Sequence, residues 1–226
     1  MKRIPLAERT LPSYTRGEEL FNMISHITGG AMGILALILC VCLAVICDNP
    51  YGVVGGLIFS ISMILLYTMS SIYHGLSPKC KAKLVFQIID HCTIYLLIAG
   101  TYSAAAMQMI RVGFAARGWA IFAIIWTLTV LGIILNAIDL KRYRVISMVL
   151  YLGMGWSIFA VASPSMILEI LGDRGTLYMV AGGIAYTVGV LFYSLGKTHR
   201  YMHSVFHLFC LAGSLSHLIS VLYFLT

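Results

Sequence analysis

The feature that most limits what this chain can become is a succession of seven long apolar runs, at about 22–47, 52–73, 83–109, 118–136, 145–162, 175–196 and 203–225. Each is near the roughly 20 residues that an α-helix needs to cross a hydrocarbon core of about 30 Å. Charged residues make up only 10% of the chain, whereas an ordinary soluble domain is about one quarter charged. The expectation is an all-α integral membrane bundle of seven transmembrane helices over 22–226, preceded by a cytoplasmic tail over 1–21, with no soluble domain. The fifth run is the least sharply bounded, because Ser163-Pro164-Ser165 interrupts apolar sequence that resumes at 166–171.

The cationic residues orient the bundle. The tail and the segments around Lys79, Lys141 and Lys197 carry 12 Lys and Arg, and the alternate side holds 3, namely Arg111, Arg117 and Arg174. The positive-inside rule then predicts a cytoplasmic N terminus and an outer C terminus, in a multi-pass protein of the cell inner (plasma) membrane. The first 21 residues mix Lys, Arg and Glu with Pro5 and Pro12 and have no short apolar core, so the first span is expected to direct insertion. The net charge of +7 is spread over interhelical segments, which excludes a concentrated nucleic-acid-binding face. The six cysteines have no C-x-x-C spacing and read as small core fillers.

Polar side chains inside the spans cost about 2.5–3.5 kcal/mol each at mid-span unless they find a partner or a wet cavity. The short list is His26, Ser70, Ser71, His74, Asp90, His91, His203, His207 and His217. Since odd spans enter from the cytoplasm and even spans return to it, sequence position converts to depth at about 1.5 Å per residue. His74, Asp90, His203 and His207 then fall in one layer, within roughly 10 Å of the cytoplasmic boundary. His203 and His207 are one turn apart and share a helix face, the spacing of a two-point metal clamp. With His74 they make a three-histidine set suited to zinc (Zn2+) with an open fourth position. Asp90 is expected to partner a zinc water. Ser70, one turn before His74, either reaches that water or a substrate oxygen or bonds back to a backbone carbonyl.

The remaining polar residues carry plainer expectations. His91 points about 100° away from Asp90 and reads as a packing or hydrogen-bonding residue. His199 reads as solvated and His217 as a contact roughly 15 Å deeper than His207. Glu19, Asn22 and His26 read as a helix-entry network on the N-terminal dipole of the first span. Trp119, Trp126 and Trp156 read as interface anchors or packing.

Together these residues resemble the progestin and adipoQ receptor family, most closely its bacterial hemolysin III branch. The resemblance rests on Glu19-x-x-Asn22-x-x-x-His26, Ser70-Ser-Ile-Tyr-His74, Phe86-Gln-Ile-Ile-Asp90, Gly100-Thr101-Tyr102, and His203-x-x-x-His207 followed by Leu-Phe-Cys-Leu-Ala-Gly-Ser-x-x-His217. It implies zinc held by His74, His203 and His207, with Asp90 at the metal's water and Ser70 nearby. The wider group includes alkaline ceramidases, and the bacterial members are named for haemolysis and connected with membrane homeostasis. The tail is far shorter than the N-terminal domain of the animal receptors, so hormone reception is not expected.

The leading expectation is a zinc-dependent hydrolase of a lipid amide or ester, with Asp90 and Ser70 catalytic and a membrane lipid or fatty-acyl group as its substrate. The alternatives are a lipid sensor or homeostasis regulator with structural zinc, and a pore, for which no repeated polar face is evident.

Overall fold

The computed structural model describes Leu6 and residues 9–225. Among the described residues there are seven helices and no strand: α1 (Arg16–Ile46), α2 (Pro50–Gly75), α3 (Lys81–Arg111), α4 (Ala115–Gly155), α5 (Ile158–Val161), α6 (Pro164–Leu195) and α7 (Met202–Leu225). All but the four-residue α5 are long and apolar enough to cross a membrane, which makes six such helices.

Local chemistry fixes where these helices start. Thr15 accepts from the Glu18 backbone N–H while the Glu18 carboxylate accepts from the Thr15 N–H at 2.8 Å, so α1 opens on a capping box. Asn49 accepts from the Gly52 N–H at 2.8 Å, with Pro50 at the first helical position of α2. Ser163 and Pro164 repeat that arrangement on α6, so the expected interruption is a helix start. α1 begins at Arg16, six residues ahead of the first apolar run, and this extension carries Glu18 and Glu19 into the bundle.

α4 is not one rod. Asp139 is extended (φ −164°, ψ 103°), and its carboxylate accepts from the Lys141 and Arg142 N–H groups at 3.0 and 3.1 Å, which caps a new helix start. On one straight helix Asn136 and Ser147 would stand roughly 16 Å apart. Instead, Ser147 Oγ donates to Asn136 Oδ1 at 2.7 Å, and Asn136 Nδ2 donates to the Tyr151 hydroxyl at 3.1 Å. The chain therefore doubles back at Asp139, and 115–138 and 140–155 are two legs that match the fourth and fifth apolar runs. The second leg ends sooner than the fifth run, at Gly155, and α5 follows it. A second break falls at Gly172, whose φ of +69° suits a residue without a side chain; it divides 164–171 from 173–195 within α6.

α1 to α5 pack each on the next, α6 packs on α7, and α7 returns to α1 and touches α2 and α3, closing the bundle. The interior holds Phe59, Met63, Tyr67, Tyr95 and Ile125, all fully buried, whereas Ile38, Val149 and Leu191 are exposed on the outside as a lipid-facing surface requires. α2 and α3 meet backbone to backbone at Gly55, where a Cβ would sit 2.8 Å from the Ala104 Cα. Backbone cannot yield as a side chain can. Gly55→Ala is expected to push the two helices apart at a cost of about 1–3 kcal/mol, measured as a lower unfolding temperature in detergent; an unchanged temperature would show that the contact relaxes freely.

Candidate metal centre

The site forms where the start of α1, the end of α2 and the start of α7 meet. Glu18 Oε1 accepts from the Tyr201 N–H at 2.7 Å, which holds the start of α7 against the start of α1. Tyr201 takes a positive φ of 61° there, and α7 opens one residue later with His203 and His207 facing inward, both buried. His74 enters from the last turn of α2, also buried.

His74, His203 and His207 each offer a ring nitrogen within 4.8 Å of the other two. The Nε2 atoms of His203 and His207 are 3.2 Å apart. Two imidazole nitrogens bound to one tetrahedral zinc at 2.0–2.1 Å stand about 3.3 Å apart, so this spacing fits the ion. His74 is directed by a carboxylate: its Nδ1 lies 2.7 Å from Glu19 Oε2. Because an ionised carboxylate can only accept, Nδ1 carries a proton, and in the neutral ring Nε2 is the nitrogen with the lone pair. That Nε2 is buried without a hydrogen-bond partner among the described residues. A carboxylate behind a ligating imidazole is the usual support of a zinc site.

Glu19 has a cationic partner as well. Lys83 Nζ donates to Glu19 Oε1 at 2.8 Å and to the Tyr73 and Leu76 carbonyls at 2.9 Å each, so the ammonium has an acceptor for each of its three protons. Lys83, counted by sequence among the loop cations, is buried beneath the site. His26 stacks on His207 with ring centroids 3.7 Å apart and meets Tyr67 edge-on. Both ring nitrogens of His26 and the side-chain amide of Asn22 have no partner among the described residues. Buried polar groups left in this state ask for water or an ion.

Tyr14 covers the cluster. Its ring stacks on His203 at 4.9 Å and tilts toward His74 at 5.9 Å. Burial first, then Tyr193 and Asp90, push its phenol well above the ordinary range. The Asp90 carboxylate lies 3.7 Å from His91 Nδ1, and no hydrogen bond joins it to the three histidines. Ser70 is buried, and its hydroxyl makes no bond to a described residue, whereas Ser71 donates back to the Tyr67 carbonyl at 2.7 Å. The structure thus brings His74, His203 and His207 together, keeps Ser70 one turn away on α2, and leaves Asp90 at the edge.

A family model described as "Haemolysin-III related" matches residues 14–218. The chain belongs to the haemolysin-III-related family. Hemolysin-3 of Bacillus cereus is 36% identical over 207 residues, covering 92% of this chain and 91% of that protein. The Hemolysin-3 homolog of Bacillus subtilis (strain 168) is 33% identical over 93% of this chain and 96% of its own length. The human monocyte to macrophage differentiation factor is 26% identical over 75% of this chain and 70% of that protein. The family match begins at Tyr14, the residue that covers the cluster, and runs through all three histidines.

Sequence reasoning placed Glu19 and His26 in an entry network on α1. The structure corrects this: Glu19 reaches across to α2 and α3, and His26 lies against α7. Their spacing with Asn22 did signal one polar stripe, but a stripe does not say which helix lies opposite it. His91 and His217 follow expectation, at 2.9 Å from the Gln87 carbonyl and 3.2 Å from the Met179 carbonyl. His199 is exposed. Glu19→Gln should weaken metal binding about 10- to 100-fold, read by competition with a chromophoric zinc chelator; unchanged affinity would remove Glu19 from the site's support.

Proposed function

We propose that this haemolysin-III protein is a zinc-dependent hydrolase of a lipid amide or ester, acting within an inner membrane that it crosses seven times. The crossing count takes the two legs of α4 separately, and the cationic asymmetry of 12 against 3 supports a cytoplasmic N terminus and an outer C terminus. The observation that carries the hydrolase reading is the convergence of three buried imidazoles beside an apolar cavity of about 510 Å³. That volume lies within the range of small-molecule sites, about 300–1,000 Å³.

His74, His203 and His207 would hold the ion, with Glu19 keeping the His74 lone pair turned toward it. When bound, zinc supplies Lewis acidity for a carbonyl and lowers the pKa of water from 15.7 to about 7. Asp90 is the carboxylate assigned to take up the proton released by the attacking water. The Ser70 hydroxyl, free of its own helix, is assigned to donate a hydrogen bond to the substrate oxygen where negative charge develops. The apolar cavity walls would receive the acyl chain and keep bulk water from the reacting carbonyl.

A second reading is a lipid-responsive regulator with structural zinc. It is favoured by Tyr14 and Tyr193, which both contact His203 and both line the cavity, and so stand between the two compartments.

The deciding experiment is mass-spectrometric detection of fatty acid released from a mixed ceramide and phospholipid extract by the purified protein, with zinc assayed in parallel and His207→Ala as the blank. Wild type should release fatty acid, and Asp90→Ala should lose turnover while keeping its zinc. Equal turnover by Asp90→Ala would remove Asp90 as the base, and no release from fully loaded wild type would leave the regulator reading.

A further inference from the structure

The three histidines are buried, so an ion reaches them only if something moves. Of the three, His203 keeps the most surface, 8% against 3% for His74 and 2% for His207. It is also the ring on which Tyr14 stacks. Tyr14 ends a stretch, residues 9–14, that has no regular secondary structure. This strap runs from Ile138, at the turn between the two legs of α4, to the start of α1.

The two ends of the strap are held differently. At Thr15 the frame is firm: Glu18 Oε2 accepts from the Thr15 N–H and hydroxyl at 2.8 and 2.7 Å, while Oε1 accepts from the Tyr201 N–H. Tyr201 also packs on Gly17, where a Cβ would stand 2.8 Å from its hydroxyl oxygen. At the other end Arg9 reaches the bundle through one bond, Nη2 to the Ile138 carbonyl at 2.7 Å. Residues 10–14 make no hydrogen bond to a described residue, so Tyr14 is kept in place by its ring contacts with His203 and His74. Contacts of this kind are weak enough to be given up and remade, as in segments of low local stability.

The other way in is poorly suited to an ion. From the cavity, His203 is screened by Tyr193, with ring centroids 5.9 Å apart. The walls leading there include Ile94, Ile98, Leu152, Met179 and Val190, which would strip a dication of its water and offer no ligand in return. The strap side is acidic instead. Burial first, and then Tyr193, Asp90, Glu19 and Glu18, push the Tyr14 phenol above its ordinary range, so the covering ring stands among three carboxylates whose field attracts a cation.

We propose that residues 9–14 are the door through which the metal enters and leaves: when Arg9 releases Ile138, Tyr14 swings off His203 about the capped Thr15 and opens the three histidines to water. The inference rests on the metal reading of His74, His203 and His207 and not on the hydrolase. It gives Tyr14 a kinetic role. A barrier common to entry and exit changes both rates by the same factor and leaves affinity alone, whereas a ring that positions His203 would change the rate of departure, and affinity with it.

The test measures zinc exchange on the purified full chain in detergent: loss to excess EDTA, uptake from a chromophoric zinc chelator, and zinc Kd and unfolding temperature for each variant. Tyr14→Ala and Arg9→Ala, at opposite ends of the strap, should each raise both rates roughly five- to tenfold while leaving Kd within about twofold. Tyr14→Phe keeps the ring and should exchange as wild type does. Because the two alanine variants act at separate places, either one decides the matter if the other fails to fold. Wild-type rates in the folded variants, or faster loss without faster uptake, would overturn the proposal. So would faster exchange in Tyr193→Ala than in Tyr14→Ala, which would put the route through the cavity. A wild type that binds no zinc would remove the metal centre and the door together, whereas the expected rates without fatty-acid release would count against the hydrolase alone.

Discussion

Glu19 joins three helices through two short contacts, 2.7 Å to His74 on α2 and 2.8 Å to Lys83 on α3, from its own place on α1. A carboxylate in a low-dielectric interior costs several kcal/mol unless it is paired and its remaining lone pairs are used. The pairing here meets that demand, and the geometry of the site follows from it. Lys83 is held by all three of its protons, so the carboxylate cannot drift toward it, and the imidazole must present Nδ1–H to Glu19. Nε2 is left facing His203 and His207. The neighbouring Glu18 secures the other half of the site by accepting from the first turn of α7. Two consecutive acidic residues therefore set both the rotation of His74 and the position of the His203–His207 pair.

The membrane environment makes the distribution of unpaired groups informative. Ser62, Thr101, Ser103 and Thr127 donate to carbonyls of their own helices, the ordinary solution for a hydroxyl surrounded by hydrocarbon. Tyr67 and Tyr186 both meet Ser214 at 2.7 Å, which settles three more polar groups at a deeper level. By contrast, Asn22, His26 and His74 Nε2 have no partner among the described residues, and Ser70 makes no bond to a described residue where Ser71 does. Ser60, Tyr95 and His217 also carry an unpartnered atom elsewhere in the bundle, but the histidine layer alone combines such atoms with three imidazoles that could hold a metal ion.

Much of this was legible from one-dimensional information. Length and hydropathy delimit the spans because a hydrocarbon core sets a fixed helix length, and the dip at Asp139–Arg144 separated two legs that backbone continuity merges into α4. Depth was legible for His74, His203 and His207 because position along a straight helix converts directly to height. Azimuth was not. Glu19 and His26 face other helices, and Asp90, at the same height as the histidines, lies toward His91 and the tyrosines without bonding to the cluster. Spacing set Ser70 on the face of His74, but that Ser71 bonds back to the Tyr67 carbonyl while Ser70 does not bond to its own helix was not legible. Tyr14 was hidden for a different reason: it precedes the apolar runs, in a segment whose charges read as solvated tail.

That segment connects the two compartments. Arg9 borders the mouth of the cavity, and Tyr14, five residues on, lies over His203 while also lining the cavity. On the cavity side Arg9 Nε and Nη1, and on the other side imidazole nitrogens of His26, His74 and His207, have no partner among the described residues, with Tyr14 and Tyr193 between them. Residues 9–14 therefore border both the cavity and the histidine cluster.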